Sequence, residues 1–282
     1  MDWSKSKSIF IVVFLILNVF LYSLYLNRHT EAQLVEVLGE KTIEAQLQDD
    51  NITYGVLPTN IEKAAYISAT VKNFEEENIV IQNAQSIIVE NKNKLIVTLK
   101  EPVKISNLDQ EENYRNFLQF QVYEGASYSL WKVDPENGKV TFFQRLNDRK
   151  IYYNINGVLT IFLNDKNEII GYEQTLLDNI EEYNKEKTLL PPIQVIQALY
   201  GKRLLKPDSK ITEMKLGYST LVQLKTQVFV PTWEVRATTQ DNIHEEYFVN
   251  AVEGKVIDVQ LDATRVEAVE TEVEDVKEVD EE

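Results

Sequence analysis

The residues that most invite a chemical reading are His244-Glu245-Glu246, an imidazole beside two carboxylates of the kind used in acid–base or metal chemistry. Their neighbours set them at a hairpin tip beside a strand, where a usable site needs further partners converging from elsewhere in the chain. The supply of such partners is thin. His29 is the only other histidine, and the chain has no cysteine, which excludes disulfides, thiolate nucleophiles, iron–sulfur clusters and cysteine zinc sites. Among 45 Asp and Glu, adjacent acids such as Asp49-Asp50 or Glu181-Glu182 arise by chance and say little about paired-carboxylate chemistry. Neither the phosphate-cradling G-x-x-x-x-G-K-[ST] nor G-x-G-x-x-G occurs among the nine glycines, and H-E-x-x-H and G-x-S-x-G are absent too. No catalytic residue, metal ligand set or cofactor site is expected, so the chain does not read as an enzyme. Against 45 acids stand 29 Lys and Arg, a net charge of −16, which argues against binding nucleic acid, where cations must replace phosphate counterions.

The chemistry that remains is that of contacts. Residues 9–26, IFIVVFLILNVFLYSLYL, are 18 residues without a charge. As a helix they measure roughly 27 Å, close to the hydrocarbon thickness of a bilayer. A cleaved signal peptide is the rival reading, but the run exceeds the usual apolar region of about 7–15 residues and no A-x-A-like site follows it. Lys5 and Lys7 precede the segment, with Trp3 at the same boundary, so residues 1–8 are expected in the cytoplasm and the rest outside. Asn18, Tyr22 and Tyr25 fall at i, i+4, i+7 and continue inward through Leu15 and Ile11. Tyr22 and Tyr25 also suit an interfacial aromatic belt. Asn18, near mid-bilayer, carries an amide that gains from a partner in another transmembrane helix, an interaction worth roughly 0.6–2 kcal/mol. The five residues are therefore the candidate partner contact.

The elements that would position such a contact follow in order. Residues 27–50 read as a juxtamembrane stalk with a loose helical pattern weakened by Gly39, and residues 51–261 as one α+β extracytoplasmic domain. Alternation predicts strands at 65–71, 86–90 and 94–100. A helix is expected over 107–121, capped by Asn107 or Asp109. A meander follows, with strands at 128–133, 139–146, 149–155, 158–163 and 169–177, its turns marked by Asn137-Gly138 and Asn156-Gly157. Pro191-Pro192 starts a second helix ending near Gly201, and strands follow at 212–220, 227–237, 245–249 and 256–260. The fold class is thus an antiparallel sheet with two packed helices behind a single transmembrane helix. Helix followed by strands occurs twice, which allows two similar subdomains. Trp131 and Trp233 fall within strands and are expected in the core, with a glycan-binding aromatic row as the alternative. Residues 262–282 hold ten acids and two bases, half of the net charge, and read as a solvated, disordered tail.

The opening Met1–Ile11, running straight into the apolar segment, resembles the start of the YycI (WalI) proteins of low-GC Gram-positive bacteria. So do Ala64–Ala69, Val71-Lys72-Asn73-Phe74, Trp131, Tyr247–Ala251 and Gly254-Lys255-Val256. The resemblance extends over about residues 1–260 and leaves out the acidic tail. It implies a single-pass accessory protein of the cell membrane, joined with a sister protein, YycH, to the sensor histidine kinase YycG (WalK) that controls cell-wall metabolism genes. It also implies an antiparallel α+β extracytoplasmic fold, and it brings no catalytic residues. The alternative is an anchored extracytoplasmic module that binds cell wall or another ligand and uses the helix only as a tether.

Overall fold

The computed structural model describes residues 14, 15, 17, 18, 21, 41–58, 63–183, 185–222 and 226–257. The chain divides into two units at Asp49/Asp50. In the first, Phe14, Leu15, Leu17, Asn18 and Leu21 are helical, and the four apolar ones are exposed. Among the described residues no helix is long and apolar enough to cross a membrane, and most of 9–26 lies outside them. Within the expected stalk, α1 (Ile43–Asp49) is helical, with the Thr42 hydroxyl accepting from the Ala45 N–H at 3.4 Å and Lys41 paired to Asp49 at 2.5 Å.

The second unit opens with β1 (Thr53–Tyr54), β2 (Lys63–Ala64) and β3 (Ile67–Val71), then the hairpin β4 (Ala84–Glu90) and β5 (Lys94–Lys104). After α2 (Arg115–Gln121) come β6 (Tyr128–Asp134), β7 (Lys139–Leu146), β8 (Arg149–Tyr152), β9 (Val158–Leu163) and β10 (Glu168–Gln174). Two connecting strands, β11 (Leu177–Glu182) and β12 (Lys187–Thr188), precede α3 (Pro192–Gly201). The described chain ends with β13 (Lys210–Val222), β14 (Thr226–Thr238), β15 (His244–Asn250) and β16 (Val256–Ile257).

Among the described residues, strand pairing runs continuously through 14 strands, with β2 and β12 a separate pair, and the continuous sheet falls into two parts on either side of β8, the first and second sheets. One runs β4-β5-β10-β9-β7-β6; the other centres on β3-β14-β13, with β11 beyond β3 and β15-β16 also built on β14. Each contains a helix followed by a four-stranded antiparallel meander, α2 with β6-β7-β9-β10 and α3 with β13-β14-β15-β16. The first sheet is alternating in the simplest sense: Leu95, Val97 and Leu99 of β5 and Leu159, Ile161 and Leu163 of β9 are buried, with every second residue turned away. Onto that face α2 lays Phe117 and Leu118, the Phe117 ring meeting Tyr172 edge-on at 6.1 Å. Tyr114, just before α2, meets Phe142 edge-on at 5.1 Å. In the second sheet the segment around α3 is tied at both ends, by Trp233 Nε1 donating to the Leu190 carbonyl at 3.0 Å and Tyr247 donating to Leu204 at 2.7 Å.

Several expectations need correction. The first ectodomain helix is shorter than 107–121, because Asn107 accepts from the Asp109 N–H at 3.0 Å and closes a local turn instead of capping. Gln110 precedes a 3₁₀ turn over Glu111–Tyr114, and α2 starts without a side-chain cap. The strand expected at 169–177 is two, since β11 leaves β10 to pair with β3 of the other sheet. The sheet is not wholly antiparallel either. The four-residue β8 pairs antiparallel with β7 through Arg149 and Lys150, then parallel with β13 through Ile151 and Tyr152, joining the two sheets. β1 also lies parallel to β13. Gly217 makes the β8 junction possible: a Cβ there would lie 2.4 Å from both the Lys150 carbonyl oxygen and the Tyr152 ring.

Candidate functional site

Where β8 joins the sheets, the face of the second sheet turned away from Trp233 and Val235 is polar and aromatic. The period of two along β14 puts Glu234 and Arg236 on that face, and the β14–β15 register sets them opposite Phe248 and Glu246. From the first sheet, Trp131 stacks on Phe143 with ring centroids 4.8 Å apart. Tyr153 meets Trp131 at 5.5 Å and Phe248 at 5.6 Å. Trp131, Tyr153, Arg236, Glu246 and Phe248, with His244 and Ile257, line a groove of about 670 Å³, within the range of ordinary ligand sites.

Charge at the groove is tightly organised. The Arg236 guanidinium lies 4.8 Å over the Trp131 ring and faces three carboxylates: Glu234 at 2.5 Å, Glu246 at 3.6 Å and Glu213 at 3.7 Å. Glu234 is 1% exposed, and neither of its oxygens has a hydrogen-bond partner; the contact with Arg236 Nε is close but out of line. Its burial is offset chiefly by the charge of Arg236. Burial opposes the charged form of Arg236, yet Glu234 and Glu246 outweigh it and raise its pKa. Burial lowers the pKa of Lys150, partly opposed by Glu234, and raises the Tyr152 phenol, which also faces that carboxylate. Tyr153 is pushed up to about 12 by burial and by Glu246.

Such a groove can grip a ligand between rings and charges, but it does not assemble a proton relay. Strand geometry splits His244-Glu245-Glu246 between two faces. His244 Nδ1 lies 3.0 Å from the Thr238 hydroxyl, whereas Glu245 pairs with Lys206 and shares the single Tyr247 hydroxyl proton, at 2.6 Å, with the Leu204 carbonyl. Of the carboxylate pairs, Asp49 pairs with Lys41, while Asp50 accepts from Tyr200 at 2.8 Å. Among the described residues, no cluster of three or more His, Asp or Glu could hold a metal.

The residues singled out for partner contact fare unequally. Leu15 and Asn18 are described; Ile11, Tyr22, Tyr25, Trp3, Lys5, Lys7 and the tail 262–282 lie outside the described residues. Asn18 Nδ2 donates to the Phe14 carbonyl of its own helix at 2.9 Å. Trp233 is buried as expected, at 2% exposure, but Trp131 is only half-buried and forms part of the groove wall. Sequence reasoning missed the groove itself. Its one local trace is Glu234 and Arg236 alternating with Trp233, Val235 and Ala237, a strand apolar on one face and charged on the other.

The fold defines a class: a sheet-dominated, mostly antiparallel α+β domain with few helices. The chain belongs to the YycI family, whose model, described as YycI protein, matches residues 33–252. This is a family of regulatory accessory proteins of two-component systems. The match takes in the quoted motifs from Ala64 to Ala251 and begins after the apolar segment. Among solved structures, an uncharacterised protein from Eubacterium rectale ATCC 33656 is similar at 12% identity, covering 74% of this chain and 91% of that one, with a TM-score of 0.45. The Bacillus megaterium YpeB C-terminal domain is similar at 15% identity, 71% and 87% coverage and a TM-score of 0.39. YycH from Bacillus subtilis is similar at 14%, with 72% and 53% coverage and a TM-score of 0.38. No curated protein matches the sequence.

Proposed function

We propose that the protein is a single-pass regulator in the cell membrane, its N-terminus cytoplasmic and its main domain outside, that tunes a sensor histidine kinase of the YycG (WalK) type. In this reading it acts with a YycH-like sister protein, without catalysis of its own, and the kinase sets cell-wall metabolism genes. The observation that carries it is the family match over 33–252, standing directly behind a charge-free segment at 9–26. Residues 9–26 make the regulatory contact, and the extracytoplasmic domain, by pairing with its sister domain, sets when it is made.

The physical requirement is modest. A helix that binds one of two kinase arrangements better by about 1–3 kcal/mol shifts output 5–150-fold. An asparagine amide has two N–H donors and an acceptor oxygen. The bond to the Phe14 carbonyl uses one donor, which lowers the cost of carrying the amide in lipid and leaves the other groups to serve a partner. The test replaces Asn18 with Leu and follows kinase-dependent reporter output together with co-purification of the kinase. Loss of both is expected; if neither changes, the stripe has no role.

The aromatic groove supports a second reading, a tethered module that binds wall material or another ligand. Exchanging residues 9–26 for an unrelated membrane span separates the two: regulation survives under the second and is lost under the first.

A further inference from the structure

The groove beside β8 narrows the chemistry of what it can hold. A sugar or a nucleobase needs an open ring to lie on, and the groove offers little. Trp131 carries Phe143 stacked at 4.8 Å, with the Arg236 guanidinium at 4.8 Å and Lys150 Nζ at 5.6 Å over its ring. Tyr153 is hemmed in by Trp131, Phe143 and Phe248 at 5.5, 5.1 and 5.6 Å. What stays open is charge of both signs. Arg236 stands 3.6 Å from Glu246 and 3.7 Å from Glu213, beyond hydrogen-bond reach, so the ends of its guanidinium keep donors to give. Glu246 accepts a long bond from Tyr153, at 3.3 Å, and keeps the rest of its acceptor capacity. Around the groove Lys132, Lys150, Lys215 and Arg236 stand against Glu111, Glu213, Glu234 and Glu246, four charges of each sign. Such a field favours neither a polyanion nor a polycation.

On the reading that the domain is a ligand-binding module, we propose that the groove is a site for a free α-amino acid with a large apolar side chain. Its ammonium donates to Glu246, its carboxylate accepts from Arg236, and its side chain lies against Leu204, Val256 and Ile257, which line the same groove. The ligand must carry both charges, because the site does. It must also carry them close together. Arg236 and Glu246 are partners in the β14–β15 register with 3.6 Å between their nearest charged atoms, and an ammonium and a carboxylate on one carbon lie about 3 Å apart by covalent geometry. A guanidinium matches the planar fork of a carboxylate, which fixes the orientation of the head group and sends the side chain toward the apolar end.

Titration calorimetry of the full-length protein in detergent with L-phenylalanine is expected to give saturable binding. Removing either charge, as N-acetyl-L-phenylalanine or L-phenylalaninamide, should weaken it about tenfold or more, the loss of one charge-assisted contact. Glu246→Gln changes a partly exposed group and should weaken phenylalanine about tenfold while leaving the N-acetyl form unaffected. Arg236→Lys keeps a cation beside Glu234 but loses the fork, so it should weaken phenylalanine and leave phenylalaninamide unaffected. The proposal is overturned if phenylalanine fails to bind at millimolar concentration, if the blocked forms bind as well as the free one, or if Glu246→Gln weakens free and N-acetylated ligand alike. Binding of an N-acetylglucosamine trimer in place of phenylalanine overturns the ligand class and keeps the ligand-binding reading; with neither bound, both fall.

Discussion

Replacing Arg236 with Met should be among the most damaging single changes at the groove, and the reason is electrostatic. The methionine keeps much of the aliphatic stem but removes the cation that faces Glu234, whose carboxylate is 1% exposed and has no hydrogen-bond partner. Breaking a buried pair from one side costs about 3–5 kcal/mol. Arg236 itself is 32% exposed, so water partly screens the loss and brings it to the bottom of that range or just below, about 2–3 kcal/mol. Losing the guanidinium over Trp131 adds about 0.5–1 kcal/mol. A total near 3 kcal/mol lowers the melting temperature by about 6–12 °C for a domain of this size. The diagnostic measurement is a double-mutant cycle with Glu234→Gln, read by thermal and urea unfolding. With the buried charge already gone, Arg236→Met should cost about 1 kcal/mol, so the pair couples by about 2 kcal/mol. Equal costs of Arg236→Met in both backgrounds would falsify the claim that pairing with Arg236 is what sustains the buried Glu234 charge.

Two further outcomes follow from the same junction and its surroundings. Gly217→Ala places a Cβ against the Lys150 carbonyl and the Tyr152 ring, so β8 must leave β13; a loss of about 2–3 kcal/mol and a weakened near-ultraviolet aromatic signal are expected, and an unchanged melting curve contradicts this. Burial of Glu245 opposes its ionised form, but Lys206 and Tyr247 outweigh it and hold its pKa below the usual value; its contribution is therefore present above the unfolded carboxylate pKa and lost as pH falls through the folded one. Lys206→Met should remove about 0.5–1 kcal/mol of stability near neutral pH and progressively less as pH falls through the folded Glu245 pKa, and a destabilisation that stays constant as the carboxylate is protonated argues against the pair.

Much of the fold was readable because local rules decide it. The strands at 139–146 and 158–163 coincide with β7 and β9, where alternation is clean and polar turns close each hairpin. Gly138 adopts the positive φ that its turn needs, at +61°. Gly157 does not; its lack of a side chain leaves room for Leu177 and Gln144, whose atoms would stand 3.1 and 3.3 Å from a Cβ. The Pro191-Pro192 pair opens α3 as expected, since a fixed φ suits the first helical turn. Asn107 misled because a side chain that can cap a helix can equally close its own turn.

From its own residues the chain determines its alternating strands, its hairpin turns, the helix behind Pro191-Pro192, the charge-free stretch at 9–26 and the family to which it belongs. These depend on neighbours a few positions apart, so short-range sterics and periodicity suffice. Only the tertiary structure decides that β8 straddles two sheets, that Glu234 and Arg236 are enclosed together and that Trp131 lines a groove rather than a core. Those outcomes depend on which distant strand supplies the facing surface. Whether a charge on an alternating strand meets water or a buried counter-charge is not encoded in the alternation.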